Sequence, residues 1–328
     1  MSAAAGARTD ALPVVLYSGP VEAHDALREA VAGRMDVVRV EPEPAAVAGA
    51  LRTAAAFLDA SMKVRVNAEM IAAAPALRVV AVAATGADHI DDESLGKRGI
   101  PLLTLRGQTD VLRNLTPAAE LSWLLLMACA RQLPAAVDHV KQGGWDRASF
   151  PGIMLRGKTL GVVGVGRIGT WMTRYATAFG MTCLGYDPHA GSWPENVERF
   201  TSLHEMLPRA DFVGLHVPLT KENAGFFDRA CFERMKPGAV FVNTSRGDLT
   251  DEGALLDGLR SGRIAAAGLD VLKREPDVQQ HPLRVYAETH PNLVITPHIG
   301  GFSPDAVRVV VRHSAQRILQ HLSGGGAA

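Results

Sequence analysis

Short apolar runs alternate along this chain with stretches whose apolar residues recur at helical spacing, from about residue 12 to about residue 300. In the first third, LPVVLYSG, MDVVRV, AAFLDA, LRVVAVAATG and IPLLTL read as strands. Between them, HDALREAVAG, NAEMIAAAP and DDESLGKRG carry helical patterns. Strands separated by helices cannot close as hairpins, so this alternation predicts βαβ units and a parallel sheet. RGQTDVLRNLT then reads as a loop, and Pro117 fits the first turn of a long apolar helix, PAAELSWLLLMACARQL, with Thr116 as its N-cap. A second strand–helix series runs from KTLGVVGVG to NLVITPHIGG, and SPDAVRVVVRHSAQRILQHL has a long helical pattern, followed by GGGAA, expected to fray. The pattern predicts an α/β protein with one domain inside residues 109–300 and a smaller one before it.

Composition narrows the function classes. At 328 residues two domains are the natural division. The 34 basic and 34 acidic residues cancel, which leaves no electrostatic case for a nucleic-acid partner or a membrane surface. The longest apolar stretch, Leu121 to Ala130, falls well short of the roughly 18 residues of a membrane span. The segment MSAAAGARTDALP has no long apolar core behind a basic start, so it is a poor secretory signal and a cytoplasmic location is expected. Cys129, Cys183 and Cys231 lie far apart in apolar segments without CxxC spacing, as core thiols of a reducing compartment do. Eleven histidines are scattered, and His313 with His321 lacks a suitable acidic partner set, so no metal site is expected.

Candidate chemistry begins at Gly164-Val165-Gly166-Arg167-Ile168-Gly169. Gly164 permits a tight turn, Gly166 lets backbone approach a pyrophosphate, and Gly169 allows close helix packing. Alone such a run often marks only a turn. Here a strand candidate precedes it, the helix-compatible RIGTWMTRYATAFG follows, and MTCLGYD is the next strand, so phosphate would sit on the amides that open the helix. Asp187, at the end of that strand, suits an adenosine ribose, although a strand-end Asp also caps turns. The following Pro188-His189-Ala190 offers no Arg or Lys for a 2′-phosphate, which favours NAD over NADP.

Three further polar residues each follow a strand-like run: Arg246 after GAVFVN, Glu275 after IAAAGLDVL, and His298 after NLVIT. In an open α/β sheet, residues beyond the carboxyl ends of strands gather around one crevice. A cation that holds a carboxylate, an acid/base near neutrality and a carboxylate to orient it suit carbonyl chemistry. A carboxylate bonded to an imidazole favours its protonated form and fixes its tautomer. Taken singly, Arg246 reads equally as a strand-end ion pair, Glu275 as a solvated loop charge and His298 as a satisfied core histidine.

GKTLGVVGVGRIG, YDP, HVPLT, FVNTSRGDLTDEGALLDGLRSGRIAAAGLDVLKREP and ITPHIGG, in this order, resemble the D-isomer-specific 2-hydroxyacid dehydrogenases, above all their phosphoglycerate and hydroxypyruvate (glyoxylate) dehydrogenase-type members. The resemblance implies two Rossmann-like, doubly wound parallel-sheet domains with an interdomain cleft. Residues 1–108 and 301–328 would form a flavodoxin-like substrate domain, and residues 109–300 the NAD-binding Rossmann domain. It implies hydride transfer between NAD and a small D-2-hydroxy acid or 2-oxo acid, direct and without a metal. Arg246 would lie beside the substrate carboxylate and keto oxygen, His298 at the reacting oxygen and Glu275 behind the imidazole. Arg167 and Ile168 would lie on the phosphate turn, Val217 and Pro218 beside the adenosine and ribose, and Thr244, Asp270 and Gly300 near the cofactor, with Asp270 on the carboxamide. Ala84-Thr85-Gly86 would hold the substrate carboxylate through backbone amides, with Thr85 also near the cofactor; a simple strand-ending turn is the plainer reading. Residues 117–150 resemble the family's dimerising arm, which implies a homodimer, against the alternative of a buried intrachain helix.

One departure lies between IPLLTL and Ala118-Ala119-Glu120, where the chain carries about six residues more than the usual pattern, including Arg106 and Arg113. These read a phosphate or second carboxylate on the substrate, or else form a solvated loop pair. Formate dehydrogenases of the same architecture are expected to carry Gln at the position of Glu275. A phosphite-type dehydrogenase and an NAD(H)-sensing corepressor on this fold remain open alternatives.

Overall fold

The computed structural model describes residues 11–324. The chain divides into two compact units, one made of the described residues up to Asn114 together with those from Ser303 on, the other of Leu115–Phe302. Both are α/β units built on parallel sheets.

In the first unit the elements run β1 (Val14–Ser18), α1 (His24–Val31), β2 (Asp36–Val40), α2 (Pro44–Leu51), β3 (Ala56–Asp59), α3 (Ala68–Ala72), β4 (Val79–Val82), α4 (Asp92–Lys97), β5 (Leu102–Leu103) and α5 (Thr109–Leu112). The last helix of the chain, Pro304–Ser323, completes it. The five strands pair in parallel in the order β2-β1-β3-β4-β5. Every residue of β3 and β4 is buried, because helices cover both faces of a parallel sheet. Successive side chains therefore feed opposite cores. Tyr17, Leu58 and Ala81 pack with Leu27 of α1 and with Val311 and Ile318 of the last helix. Leu16, Phe57 and Val80 pack with Leu51, Ile71 and Leu95 of α2, α3 and α4.

Two expectations for this unit need correction. RGQTDVLRNLT is not wholly a loop, because its middle forms α5, and Gln108 just before it meets His313 of the last helix at 3.0 Å. A one-turn helix is too short for periodicity to betray. IPLLTL contributes only the two residues of β5 to the sheet.

The second unit runs α6 (Pro117–Arg131), α7 (Leu133–Lys141), β6 (Thr159–Val163), α8 (Arg167–Ala178), β7 (Thr182–Tyr186), β8 (Val197–Phe200), α9 (Leu203–Met206), β9 (Phe212–Leu215), α10 (Arg229–Arg234), β10 (Ala239–Asn243), α11 (Glu252–Arg260), β11 (Ile264–Leu269), α12 (Pro282–Ala287) and β12 (Leu293–Ile295). Pro117 starts α6 as expected, but Thr116 does not cap it through its side chain; the hydroxyl instead meets Glu120 Oε1 at 2.5 Å. The sheet has seven parallel strands in the order β12-β11-β10-β9-β6-β7-β8. From β6 the chain winds outward first through β7 and β8, then returns to β9 on the other side. That reversal is the topological switch point at which open α/β sheets bind ligands.

The register carries the switch point across the whole sheet. Val163 of β6 pairs with Tyr186 of β7 and Leu215 of β9. Leu215 pairs with Asn243 of β10, Asn243 with Leu269 of β11, and Leu269 with Ile295 of β12. The residues that follow these strand ends, Asp187, Gly164, His216, Thr244, Asp270 and Thr296, thus form one row along the carboxyl edge.

Candidate active site

The glycine-rich turn joins β6 to α8. Gly164 has φ +90°, and a Cβ there would lie 2.6 Å from the carbonyl oxygen of His216 and from Val217 Cγ1, so β9 approaches closely. A Cβ on Gly169 would lie 2.1 Å from the Gly164 carbonyl oxygen, which seats the first turn of α8 on the loop. Gly166 differs, since a Cβ there meets nothing within 4 Å, and it begins α8 without a side-chain cap. Open space lies in front of amides that no residue of the helix can satisfy, a fit for an anionic group such as pyrophosphate. Asp187 is braced to the same turn: Oδ2 accepts from the amide of Val165 at 2.9 Å and Oδ1 from that of His189 at 2.8 Å. Ile168 lies in the first turn of α8, partly buried against the core beneath. Arg167 turns its guanidinium to the carbonyl of Leu115 at 2.5 Å, and burial lowers its pKa.

Further along the row, His216 is buried and its ring lies over Gly214, where a Cβ would come within 2.6 Å of Nε2. Neither ring nitrogen has a hydrogen-bond partner among the described residues, and burial pushes its pKa down to about 3. Val217 packs on the core, with Pro218 next in the chain. Thr244 is buried, its hydroxyl 2.5 Å from that of Ser122 on α6. After β10 the backbone turns on Asn243, whose side chain accepts from the Ser245 amide and donates to the Arg246 carbonyl, both at 2.9 Å. Arg246 is half-buried, with Nη1 donating to the Ser245 carbonyl at 2.7 Å.

The imidazole–carboxylate pair comes from two loops. His298 Nδ1 lies 2.8 Å from Glu275 Oε1, with each side chain about one-third exposed, 31% and 30%. This leaves Nε2 for another partner. Glu275 does not directly follow a strand as expected, because β11 ends at Leu269 and the intervening Asp270–Arg274 stretch forms a loop. His298 has φ +54°, a conformation costly for a side chain with a Cβ, held by its amide bonds to the carbonyls of Asp270 (2.9 Å) and Thr296 (3.0 Å).

Asp270 is the anchor of that conformation. Its Oδ1 accepts from Thr296 Oγ1 at 2.6 Å and from the Ile299 amide at 2.9 Å, and Oδ2 accepts from the Gly300 amide at 2.7 Å. Burial raises its pKa against the opposing pull of these bonds. A carboxylate read from sequence as a cofactor contact is thus first a clamp on residues 296–300. Gly300 fits because a Cβ there would lie 2.9 Å from Asp270 Oδ2. The Glu275 loop is clamped likewise, as Glu252 Oε1 accepts from the Lys273 amide at 2.9 Å and Oε2 lies 3.0 Å from His281 Nε2. Burial raises the pKa of Glu252. A Cβ on Gly247 would lie 2.2 Å from Leu272 C, so the Arg246 segment runs directly against that loop. Ser122, Gly247, Glu252, His281 and Thr296 escaped the sequence reading; the TSRG and DEG runs offered signals for two of them, but partners so distant in sequence did not.

In the first unit, Ala84, Thr85 and Gly86 follow β4, with Thr85 exposed and the Ala84 carbonyl accepting from the Leu105 amide at 2.8 Å. Just beyond, His89 Nε2 lies 2.8 Å from the buried carboxylate of Asp59. Arg106 is exposed, and Arg113 lies 3.9 Å from Asp110 in a solvated pair at the end of α5. Such a pair contributes about 0–1 kcal/mol.

Sheet order and turn define a class, the α/β dinucleotide-binding proteins. Residues 123–300 match the family model described as D-isomer specific 2-hydroxyacid dehydrogenase, NAD binding domain. The chain is 40% identical over 245 residues to a D-3-phosphoglycerate dehydrogenase of Mycobacterium bovis, across 74% of this chain and 44% of that one. It is 36% identical over 258 residues to a hydroxypyruvate reductase of Thermotoga maritima, across 79% and 82% of the two chains. The crystal structure of a Thermus thermophilus protein superposes with a TM-score of 0.81 at 34% identity, covering 95% of this chain and 97% of the other. The chain belongs to the D-isomer specific 2-hydroxyacid dehydrogenase family and carries its NAD-binding domain. It spans about half the length of the curated phosphoglycerate dehydrogenases it matches. Among the described residues no helix is long and apolar enough to cross a membrane.

Proposed function

We propose that this chain is an NAD-dependent oxidoreductase that interconverts a small D-2-hydroxy acid and its 2-oxo acid, with a substrate of the phosphoglycerate or hydroxypyruvate kind. The observation that carries the reading is the 2.8 Å bond between His298 Nδ1 and Glu275 Oε1, in a unit whose glycine-rich turn presents open amides at the sheet's switch point. Bound NAD would supply the hydride acceptor, and its reduced form the donor. The turn from Gly164 to Gly169 would hold its pyrophosphate, Asp187 its adenosine ribose, with Val217, Pro218, Thr244, Asp270 and Gly300 along the rest. Leu115–Phe302 would be the NAD-binding domain and the other unit the substrate domain, with Ala84-Thr85-Gly86 on the substrate carboxylate.

Each residue of the trio then has one task. His298 Nε2 takes the hydroxyl proton as the C2–H electron pair leaves, and returns it in the reverse direction. Glu275 fixes the ring with Nδ1 toward the carboxylate and compensates the imidazolium charge. Arg246 holds the substrate carboxylate and polarises the carbonyl. The three cysteines are free and buried, which fits a cytoplasmic protein, and the apolar surface of residues 117–150 fits a homodimer.

The test is absorbance of NADH against a panel of 2-oxo acids led by hydroxypyruvate, and of NAD against 3-phosphoglycerate and other 2-hydroxy acids. Turnover is expected with at least one, and His298→Ala should cut kcat by roughly 10²-fold or more while NADH binding persists. No cofactor-linked change with any acid would sink the proposal.

A further inference from the structure

We infer that His204, Asp228 and Cys231 form a binding site for a zinc-type divalent cation on the α9–α10 side of the second unit. His204 lies on α9, and Asp228 and Cys231 lie at the start of α10. The two segments are far apart in sequence, yet Cys231 Sγ lies 3.8 Å from His204 Nε2, and one ligand atom from each of the three residues falls within 4.8 Å of the others. None of the three belongs to the row of strand ends or to the acid/base pair.

Geometry and donor type agree on the ion. Tetrahedral zinc with bonds of about 2.3 Å to sulfur and about 2.0 Å to nitrogen separates those two ligands by roughly 3.5 Å. The observed spacing is already close, and an Asp228 oxygen lies within the same 4.8 Å span. Imidazole, thiolate and a single carboxylate select zinc over magnesium or calcium, which require oxygen donors. Three protein ligands leave a fourth position for water.

Burial shapes the site as a well. Cys231 is 1% exposed and forms the floor, whereas His204 and Asp228 are exposed and form the rim through which an ion enters. Without an ion the thiol lies against the His204 ring at 3.8 Å, the Phe226 carbonyl at 3.7 Å and the Asp228 carboxylate. Binding replaces the S–H bond by an S–metal bond and releases that proton to solvent. Asp228 Oδ1 caps α10 through the Cys231 amide at 2.9 Å, which fixes the carboxylate beside the thiol. Loading ties α9 to α10 and stabilises the native state by mass action.

The test uses the full chain, stripped with chelator and free of any polyhistidine tag, titrated first with Co²⁺ and then with Zn²⁺. One equivalent of Co²⁺ should give thiolate-to-cobalt charge-transfer absorption in the near ultraviolet, and one equivalent of Zn²⁺ should bleach it. C231S should abolish the band, since Cys129 and Cys183 lie in a different core cluster. D228N keeps a capping oxygen and hence the helix, and should weaken binding by roughly 10-fold or more, as should H204A. Zn²⁺ should raise Tm in the wild type and raise it less in D228N and H204A. Absence of the band in the wild type, its persistence in C231S, or an equal Tm rise in D228N overturns the assignment. None of these readouts depends on dehydrogenase turnover, so the two proposals stand or fall separately.

Discussion

At the scale of single residues, His216 is the group whose chemistry is most at odds with its surroundings. Its ring is buried over Gly214 with no polar partner among the described residues, and its pKa is pushed down to about 3 from an ordinary 6.5. Between those values the unfolded chain binds a proton that the folded chain refuses, so stability is lost as pH falls from about 6.5 to about 3. The loss amounts to at most roughly 5 kcal/mol. Urea unfolding across this range should show a shallower pH dependence in His216→Leu than in the wild type, whatever the variant's absolute stability; parallel curves would refute the claim. The sequence placed His216 only as part of a motif, because no local pattern tells whether a ring nitrogen finds a partner. Glu275 and His298 were legible as types, since chemistry restricts which residues can move a proton. Their pairing was implied by the family resemblance, but what aims it was not, because His298 is held by Asp270 and Thr296 and the Glu275 loop by Glu252 and His281. Those contacts depend on strand order, which periodicity does not report.

At the scale of elements, two glycines of ordinary appearance separate folding from binding. Gly247 carries the Arg246 segment against the backbone of Leu272 and Lys273, where a Cβ would lie 2.2 and 2.3 Å from main-chain atoms that cannot move alone. Gly166 faces open space and has φ −75°, so a methyl group there meets no neighbouring side chain or strand. Gly247→Ala should therefore destabilise the chain by roughly 1–3 kcal/mol through overpacking. Gly166→Ala should lose only the modest stability that an alanine N-cap costs, less than Gly247→Ala, yet bind NADH more weakly, as its methyl group occupies the approach to the α8 amides. Thermal unfolding and NADH fluorescence titration of both variants check this, and a loss of stability in Gly166→Ala as large as that in Gly247→Ala would contradict it. Long elements such as α6, α8 and the main strands were readable because burial imposes a period over many residues. The four-residue α5 and two-residue β5 are too short to carry a period, and α7, which follows α6 through Gln132 at φ +50°, has no buried face to impose one.

At the scale of the molecule, α7 raises the question of what covers it. All its residues are at least partly exposed, and Leu133, Val137 and Val140 on it, with Leu124 on α6 and Trp145 beyond, present apolar surface; Trp145 is 90% exposed. Scattered exposed apolar residues are ordinary, and the run concentrated in residues 117–150 fits the contact surface proposed above. A second copy of the chain is the occupant proposed above, and a two-fold interface has the advantage that one self-complementary patch closes the assembly without leaving a sticky face. Static light scattering should then give twice the chain mass of 34.9 kDa. The double variant Leu133→Glu, Val137→Glu should shift the protein toward the monomer, because burying unpaired carboxylates at an interface costs several kcal/mol while exposing them on a solvated helix costs little. Its far-ultraviolet circular dichroism should match the wild type, since neither side chain belongs to a core cluster. A wild-type protein that scatters as a monomer at micromolar concentration, or a variant that remains dimeric, would assign this surface to something other than a second copy.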